Sequence, residues 1–394
     1  MGGYGVERGK QSVDNMKKIL FFLESLAGGG AEKVLTDIVC HLDKTKYDIT
    51  VCTVTDGDIY EKCIAPVCRY RSFLKTADYR AGGIKQVLFW ARIKLIYGLP
   101  AKVVYKHFFR ERYDIEIAFI EGFATKIIAA SPNSKSKKIA WVHTDLSPNS
   151  YADKYYSNLD EQRAAYKRFN RILCVSESVK EAFEQKLFSD ASVCVQYNPV
   201  DEKYILQQAG EALSVQRPEN GLLLGTVGRL EQQKGYPRLL KCAKRLRDEG
   251  HRFTLWIIGK GSQQEELEQY VHENDLGDVV KLLGFHKNPY KCLNQCDAFI
   301  CSSYAEGFST AATESLILGK PVFTVECAGM QELIGDSHSG VIVPNTDEAL
   351  YDLMEKLVSG QFDLAQYTQA AKKRGQDFSM SMRIAEIDNI LSSL

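Results

Sequence analysis

Short apolar runs alternate with helical patterns along the whole chain. In the first half the runs are Ile19–Leu23, Ile49–Val54, Ile115–Ile120, Ile139–Val142 and Arg171–Val175. In the second half they are Leu222–Val227, Thr254–Ile258, Val279–Leu282, Ala298–Cys301 and Pro321–Val325. Continuous apolar strands separated by helices are typical of parallel sheets covered on both faces. The pattern therefore predicts an α/β protein with two doubly wound domains.

The boundary between the domains is predicted near the turn Asn198-Pro199-Val200-Asp201, after which the pattern restarts. A chain of 394 residues also exceeds the usual limit for one hydrophobic core. We expect Rossmann-like domains over residues 16–197 and 198–375. A helix over residues 376–394 follows, and the sequence leaves open whether it packs back on the N-terminal domain. Residues 1–15 have no periodicity and are expected to form a disordered leader.

The composition is that of an ordinary globular enzyme, with 45% hydrophobic and 25% charged residues and a formal net charge of +0. Residues 1–200 are basic, with 30 Lys/Arg against 23 Asp/Glu. The 11 cysteines lie mainly in apolar segments and lack the paired Cys-x-x-Cys spacing of a zinc site. Together with an apolar run at Ile19–Leu23 too short for a signal peptide, this predicts a cytoplasmic protein with reduced thiols, no metal and no cofactor.

The loops after the strands are the expected ligand sites, because doubly wound sheets bind ligands at the carboxyl ends of their strands. The loop after Leu222–Val227 contains Arg229 and Lys234. A guanidinium offers a fork of donors and an ammonium a point charge, so the two suit a diphosphate. The alternative is a pair of solvated surface charges.

The loop after Ala298–Cys301 contains two carboxylates, Glu306 and Glu314, with small residues between them. A helix beginning near Ser309 would leave Glu306 on the loop and place Glu314 in the second helical turn. The start of a helix favours an anionic ligand. One carboxylate can then accept hydrogen bonds from sugar hydroxyls and the other from the paired hydroxyls of a ribose. The alternative is a turn residue and an exposed helix charge.

In combination, these motifs resemble the large retaining glycosyltransferase family with the GT-B fold, family 4, also described as glycosyl transferases group 1. The resemblance covers nearly the whole chain from Met16. It implies two Rossmann-like domains that face each other across a cleft, the N-terminal one for the acceptor and the C-terminal one for a nucleotide sugar. The matching segments are the Glu306-x7-Glu314 spacing, Leu318-Gly319-Lys320-Pro321-Val322, Gly228 to Gly235, Ile258-Gly259-Lys260-Gly261, Gly284-Phe285, Asn198 to Asp201 and Gly28 to Glu32.

The resemblance also implies the roles of individual residues. Arg229 and Lys234 would hold the donor diphosphate, Glu314 the ribose, and Glu306 would lie beside the transferred sugar. The other implied donor contacts come from Gly28, Gly29, Gly228, Gly284, Phe285, Gly307, Phe308, Ser309 and Thr310. The stretch Ser309-Thr310-Ala311-Ala312 departs from the bulkier residues common in the family. That departure puts the donor-sugar preference in doubt, while contacts made by the backbone are expected to survive.

Two residues of the N-terminal half are expected at the cleft. His143 follows the run Ile139–Val142, and the resemblance places it near the donor sugar, so it joins Arg229, Lys234 and Glu306 as an expected catalytic residue. Glu121 follows the run Ile115–Ile120 and is a weaker candidate for binding acceptor hydroxyls. Lys33, next to the glycine loop, is typical of a helix-surface charge.

Residues 83–113 combine seven Lys/Arg and a single acidic residue, Glu111, with apolar and aromatic side chains. This composition is typical of a helix that lies on an anionic bilayer. It equally suits two amphipathic helices that cover the N-terminal sheet, with Pro100 between them. Nucleic acid is not expected as a partner, because the chain is neutral overall and contains no recognised nucleic-acid module.

The predicted function, which the resemblance implies, is that of a retaining, metal-independent glycosyltransferase. It would move a hexose or N-acetylhexosamine, with a UDP-sugar favoured as donor, to a glycan or lipid-linked oligosaccharide in bacterial cell-surface polysaccharide synthesis. Its place would be the cytoplasm, with the inner face of the cell membrane left open. A nucleotide-sugar epimerase or a non-catalytic transferase partner on the same fold is the alternative.

Overall fold

The fold is seen in a computed structural model, which describes residues 16–27, 29–57, 59–146, 151–213, 215–218 and 221–394. The expected leader over residues 1–15 and the predicted donor residue Gly28 lie outside the described residues. Among the described residues, no helix has both the length and the apolar character needed to cross a bilayer.

The strands form two parallel sheets. The first sheet contains β1 (Lys17–Leu23), β2 (Tyr47–Thr55), β3 (Arg69–Leu74), β4 (Ile115–Ala118), β5 (Lys137–Val142), β6 (Arg171–Cys174) and β7 (Val193–Val195). The second contains β8 (Leu222–Val227), β9 (Phe253–Ile258), β10 (Val280–Gly284), β11 (Ala298–Cys301), β12 (Val322–Val325) and β13 (Gly340–Val343).

Helices connect the strands. In the first half they are α1 (Gly30–His41), α2 (Glu61–Ile64), α3 (Thr76–Arg80), α4 (Gly83–Gly98), α5 (Ala101–Phe108), α6 (Phe123–Ala129), α7 (Leu159–Tyr166), α8 (Glu177–Lys186) and α9 (Glu202–Ala209). In the second half they are α10 (Tyr236–Asp248), α11 (Gln264–Glu273), α12 (Tyr290–Leu293), α13 (Thr310–Ile317), α14 (Met330–Ile334), α15 (Asp347–Val358), α16 (Leu364–Gly375) and α17 (Met380–Ser393). Short 3-10 helices include Tyr151–Tyr155 and Gln232–Lys234.

The strand order explains where ligands can bind. The first sheet has the order β3-β2-β1-β4-β5-β6-β7 and the second the order β10-β9-β8-β11-β12-β13. In each sheet the winding direction reverses once, between β1 and β4 and between β8 and β11. Such a switch point opens a crevice at the carboxyl ends of the two strands. The loops that follow β8 and β11 therefore enclose the expected binding crevice of the second domain.

The predicted fold class is confirmed, since the two sheets are parallel and doubly wound. Each apolar run of the sequence overlaps a strand, and the helix expected near Ser309 begins at Thr310 with the Ser309 side chain as its cap. The strands β3, β7 and β13 were not predicted. They lie at sheet edges. Polar side chains interrupt β3, whereas β7 and β13 are apolar but only three and four residues long.

The last helix, α17, packs on the first domain although it follows the second domain in the chain. Lys17 Nζ donates to the carbonyl oxygen of Leu391 at 3.0 Å. The carboxylate of Asp388 pairs with Lys46 at 2.8 Å and accepts a hydrogen bond from Tyr47 at 2.8 Å. Leu391 is buried in the core. The chain therefore passes between the domains twice, once after β7 and once before α17.

Candidate active site

A largely buried ion pair joins the two loops at the switch point of the second sheet. Lys234 Nζ, on the loop after β8, lies 2.7 Å from Glu306 Oε1 on the loop after β11. Ser303 Oγ donates to the same oxygen at 2.6 Å. Burial disfavours the charge on Lys234, but the neighbouring Glu306 raises the pKa of the ammonium above its ordinary value. Lys234 is therefore held charged and in a fixed position.

Arg229 lies on the same loop as Lys234, but its side chain is exposed. The Arg229 guanidinium lies close enough to Lys234 that its positive charge lowers the pKa of the Lys234 ammonium, against the larger raising effect of Glu306. Further hydrogen bonds tie the loop after β8 to the loop after β11. Tyr304 N donates to the carbonyl oxygen of Gln233, and Gln233 Nε2 donates to the carbonyl oxygen of Ala305, each at 2.8 Å. An exposed cation, Arg229, thus lies near a largely buried one, Lys234, at the mouth of the crevice.

Glycines allow these loops to pack backbone against backbone. Gly235 has a φ of +66°, and a Cβ there would lie 2.1 Å from the carbonyl oxygen of Ser302. A Cβ on Gly259 would lie 1.8 Å from the carbonyl oxygen of Gly228. Both distances are far below any real contact, so no side chain fits at either position. The predicted glycine motifs therefore have a steric reason in the second domain.

Arg238 binds the backbone of the loop after β11. No sequence motif indicated this residue. The side chain is only 2% exposed. Its Nε and Nη2 donate to the carbonyl oxygen of Ser302 at 2.9 and 2.7 Å, and Nη2 also donates to Asn345 Oδ1 at 2.8 Å. The guanidinium carbon lies 3.9 Å from the centroid of the Tyr304 ring. Arg238 thereby fixes the backbone that carries Glu306.

Glu314 is buried in the second turn of α13, as the sequence predicts. Tyr290 OH donates to Glu314 Oε1 at 2.9 Å. Burial raises the pKa of the Glu314 carboxyl, although the Tyr290 hydrogen bond and the positive charge of Lys33 act in the opposite direction. The carboxylate faces the cleft, because Lys33 belongs to the first domain.

Lys33 was expected on a helix surface, and that expectation is wrong. Its side chain is mostly buried, with Nζ 2.8 Å from Asp37 Oδ2 and 3.6 Å from Glu314 Oε1. A Cβ on nearby Gly30 would lie 3.4 Å from Thr310 Oγ1. The start of α1 therefore faces the start of α13 across the cleft. A single sequence does not reveal this, because the facing partner is nearly 300 residues away.

His143 lies on the other wall of the cleft, directly after β5. Its ring lies 5.0 Å from that of Phe119, and no described residue makes a hydrogen bond to its buried Nε2. Burial lowers the pKa of His143 to about 3, so the imidazole is neutral near pH 7. A Cβ on Gly307 would lie 1.8 Å from the His143 carbonyl oxygen. His143 therefore directly faces the loop that carries Glu306.

The prediction that Glu121 faces the cleft is wrong, because its side chain is buried beneath the cleft. The carboxylate is fully buried, and its Oε2 accepts a hydrogen bond from His143 N at 2.9 Å. Its Oε1 accepts a hydrogen bond from Thr144 Oγ1. Both oxygens are thus engaged by the segment that carries His143. A buried carboxylate must be hydrogen-bonded, and Glu121 meets this need by binding residues 143 and 144. Glu121 thereby holds the segment that carries His143 in place.

The remaining predicted donor residues lie along the same edge. Phe285 is 48% exposed, and Lys260 Nζ lies 4.9 Å from the centroid of its ring. Gly284 accepts a hydrogen bond from Gly259 N at 2.9 Å through its carbonyl oxygen. Phe308 is buried, with its ring 5.4 Å from that of Tyr197. Gly228, Gly284, Phe285 and the stretch from Glu306 to Thr310 are thus brought to one edge, while Gly29 lies on the facing domain.

A group of potential metal ligands lies elsewhere in the second domain. Glu249, His251 and Glu355 approach one another in the described part of the chain. His251 precedes β9, which places the group at the amino end of the sheet, opposite the cleft. The Glu249 carboxylate is already paired with Arg245 at 3.0 Å. This group therefore has no part in the chemistry of the cleft.

Comparisons with known proteins place the chain in a family. Residues 28–204 match the family model described as Glycosyltransferase Family 4, and residues 212–374 match the one described as Glycosyl transferases group 1.

Two relatives in sequence are bacterial glycosyltransferases. The N-acetylgalactosamine-N,N'-diacetylbacillosaminyl-diphospho-undecaprenol 4-alpha-N-acetylgalactosaminyltransferase of Campylobacter jejuni is 26% identical over 373 residues, which are 92% of this chain and 96% of that protein. The amylovoran biosynthesis glycosyltransferase AmsK of Erwinia amylovora is 29% identical over 179 residues, 43% of this chain and 44% of that protein.

Among solved structures, Anabaena HepE in complex with UDP and glucose superposes with a TM-score of 0.72 at 22% identity, covering 96% of this chain and 100% of that one. The two family models together span both domains, and the relatives agree with them. The chain therefore belongs to glycosyltransferase family 4 and is a glycosyltransferase with the GT-B fold.

Proposed function

We propose that this enzyme transfers a hexose or an N-acetylhexosamine from a UDP-sugar to a hydroxyl group of a lipid-linked glycan in bacterial cell-surface polysaccharide synthesis. The observation that carries the proposal is the Lys234–Glu306 ion pair, which stands beside Arg229 at the switch point of the second sheet. The proposal is supported by HepE, solved with UDP and glucose, and by the Campylobacter relative, whose name specifies a diphospho-undecaprenol-linked acceptor.

The donor would bind with its diphosphate between the two cations and the start of α13. Lys234 is already fixed by Glu306, so it can stabilise charge on the leaving diphosphate without moving. The first backbone N–H groups of α13 add a favourable dipole. The buried Glu314 carboxylate offers acceptor oxygens for ribose hydroxyls. No step in this scheme requires a metal ion.

We infer retention of the anomeric configuration by a same-face mechanism. A same-face mechanism needs no nucleophile from the protein. The Glu121 carboxylate is turned away from the cleft, and its two oxygens accept hydrogen bonds from His143 N and Thr144 Oγ1, so it is not placed to attack the anomeric carbon. The acceptor oxygen would bond to the anomeric carbon as the bond from that carbon to the diphosphate breaks. The proton of the acceptor hydroxyl would pass to the leaving diphosphate.

The acceptor would lie on the first domain, at the carboxyl end of β1. Glu24 follows that strand, and its Oε1 accepts hydrogen bonds from Tyr97 OH and from Tyr155 OH, the latter at 3.2 Å. The Tyr97 ring lies 4.3 Å from that of Phe123. A carboxylate beside aromatic rings suits a sugar, which offers hydroxyl donors and an apolar face. Glu24 thus takes the acceptor role first predicted for Glu121.

Helix α4 suits a membrane surface better than a protein core. Phe89, Ile93 and Ile96 pack on the first domain, but the opposite face of the helix is also apolar and is exposed to solvent. Basic side chains flank that exposed face. An apolar helix face between basic residues is the composition of a helix that lies in a bilayer interface. The exposed apolar residues are Ile84, Val87, Leu88 and Leu95, at 50 to 79% exposure, and the basic residues are Lys85, Arg92 and Lys94.

The first prediction concerns the two cations. Arg229→Ala and Lys234→Ala are each expected to lower kcat/KM for sugar transfer roughly 10²- to 10³-fold, because each removes charge stabilisation from the leaving diphosphate. UDP release from UDP-sugars measures the rate, and Lys241→Ala on the exposed side of α10 is the matched control. Arg229 is exposed, so its variant folds normally. A near-normal rate for Arg229→Ala would contradict the site assignment.

The second prediction concerns pH. A His143 with a pKa of about 3 stays neutral from pH 5 to 8 and cannot create a limb in the rate profile over that range. His143→Asn is expected to lower kcat while leaving the shape of the kcat/KM profile unchanged. If a limb between pH 6 and 7 disappears in the variant, the imidazole titrates during turnover and the prediction is wrong.

The third prediction concerns the acceptor. Glu24→Gln is expected to raise KM for a diphospho-undecaprenol-linked acceptor about tenfold, because a charged hydrogen-bond partner is lost. The affinity for UDP, measured by calorimetry, is expected to stay the same. The control is Glu348→Gln, an exposed residue of the second domain. An equal loss of UDP affinity in Glu24→Gln would indicate a donor role instead.

The fourth prediction concerns the membrane. Leu88→Glu with Leu95→Glu is expected to abolish most binding to vesicles of phosphatidylglycerol and phosphatidylcholine, since each buried leucine contributes about 1.5–3 kcal/mol. Leu206→Glu, at an equally exposed leucine of α9, is the matched control for added charge. Cosedimentation at low salt measures binding. Equal binding of all three proteins would exclude α4 as the contact surface.

A further inference from the structure

The N-terminus of α8 is capped by both domains at once. Any helix leaves its first backbone N–H groups without partners inside the helix. Ser176 satisfies one of them, since its Oγ accepts a hydrogen bond from Val179 N at 3.1 Å. The two N–H groups before it, those of Glu177 and Ser178, donate to the carboxylate of Glu332 at 2.8 and 3.1 Å. Glu332 belongs to α14 of the second domain.

The same carboxylate accepts two further hydrogen bonds from side chains of the first domain. Ser178 Oγ donates to Glu332 Oε1 at 3.3 Å, and Tyr197 OH donates to Oε2 at 2.9 Å. Tyr197 lies next to the turn at Asn198 where the chain first leaves the first domain. A carboxylate at the start of a helix is favoured both by the helix dipole and by charge-assisted hydrogen bonds. Glu332 is thus bound to the first domain through four donors.

The contact extends from Glu332 to the loop after β11, which contains Glu306 and Gly307. Ser178 Oγ accepts a hydrogen bond from Gly329 N at 2.8 Å, and Ser176 Oγ donates to the carbonyl oxygen of Gly307 at 3.0 Å. Gly307 in turn lies against the His143 carbonyl oxygen, where a Cβ would have no room. One continuous row of contacts therefore joins Glu332 to the place where the Glu306 loop meets His143.

Glu332 is held firmly in its own domain, although α14 is short. Arg374 Nη2 donates to the carbonyl oxygen of Glu332 at 2.7 Å, and its Nε donates to that of Leu333 at 2.9 Å. Gly329, just before α14, has a φ of +77° and lies against Gly307 and Phe308. A displacement of Glu332 relative to the first domain is therefore accompanied by a displacement of residues 307–308.

We propose that Glu332 is a positioning residue that latches the cleft shut. By capping α8, it draws α14 and the adjoining Gly307 against the first domain, so that the Glu306 loop and His143 enclose the transferred sugar between them. When the domains separate, the two N–H groups of α8 and the Glu332 carboxylate lose these hydrogen bonds and must form hydrogen bonds with water instead. Glu332 thus contributes to transfer without touching donor or acceptor. Its effect on catalysis rests on the proposed function, whereas its effect on domain closure does not.

The test compares Glu332→Gln and Glu332→Ala with the wild-type chain and with Glu348→Gln. Losing a charged hydrogen-bond partner is expected to lower the ratio of closed to open protein roughly ten- to a hundredfold. Small-angle X-ray scattering with and without UDP is expected to show a larger radius of gyration for both Glu332 variants. In sugar transfer, kcat is expected to fall about tenfold or more while the affinity for UDP stays within about twofold of wild type.

A double-mutant cycle with Ser178→Ala examines the contact from its other side. If Glu332 acts through α8, the effects of Ser178→Ala and Glu332→Gln on the radius of gyration and on kcat are less than additive. Additive effects would mean that the two residues act independently and would overturn the proposal.

Other outcomes separate this proposal from a structural role and from the proposed function. If Glu332→Ala lowers the melting temperature and the UDP affinity as much as kcat, the residue only supports the second domain and the latch is disproved. If scattering and kcat are both unchanged, the latch is also disproved, while the proposed function stands. If the wild type transfers sugar from none of the UDP-sugars tested but the Glu332 variants open in scattering, the latch stands and the proposed function fails.

Discussion

The ion pair between Lys234 and Glu306 is the interaction on which the candidate site in the second domain depends. A buried charge is costly unless it is paired and hydrogen-bonded, and Ser303 supplies the additional bond here. The pair joins the loops of two adjacent strands at the switch point, and α13 begins only four residues after Glu306. The position of Glu314 and the N-terminus of α13 therefore follow from the same pair. Arg238, bound to the backbone of the same loop, keeps that loop from moving away.

The second domain by itself forms only one wall of the candidate site. The first domain completes it at three places: the start of α1 at Lys33 and Gly30, the end of β5 at His143, and the start of α8 at Ser176. Each place is a strand end or helix start at the carboxyl edge of the first sheet. Because both sheets are parallel, each domain gathers its loops and helix starts at one edge, and the two edges meet. The cleft is thus a consequence of the sheet topology, and polar contacts between the edges set how tightly it closes.

The sequence predicted those parts of the fold whose signal is local. Buried central strands such as β1 and β8 are continuous apolar runs, and the Ser309 cap marks the start of α13 without any tertiary information. Edge strands such as β3 gave no comparable signal, since their side chains are partly exposed. Within the candidate site, Arg229, Lys234, Glu306 and Glu314 were predicted from their places on loops after apolar strands together with the resemblance to the family, and the structure brings Lys234 and Glu306 into contact.

What the sequence alone determined is therefore which loops of the second domain form the candidate site, because their residues are close together in the chain or follow adjacent strands. Only the tertiary structure decided the contacts of Glu121, Lys33, Arg238 and Glu332. The bonding partner of Glu332 on α8 is 154 residues away, and nothing near Glu332 in the sequence indicates it. Glu121 shows the converse, since a carboxylate after a buried strand can turn toward the cleft or back beneath it. That direction is set by the hydrogen bonds on offer, in this case from His143 N and Thr144 Oγ1, and those exist only after the strands have paired.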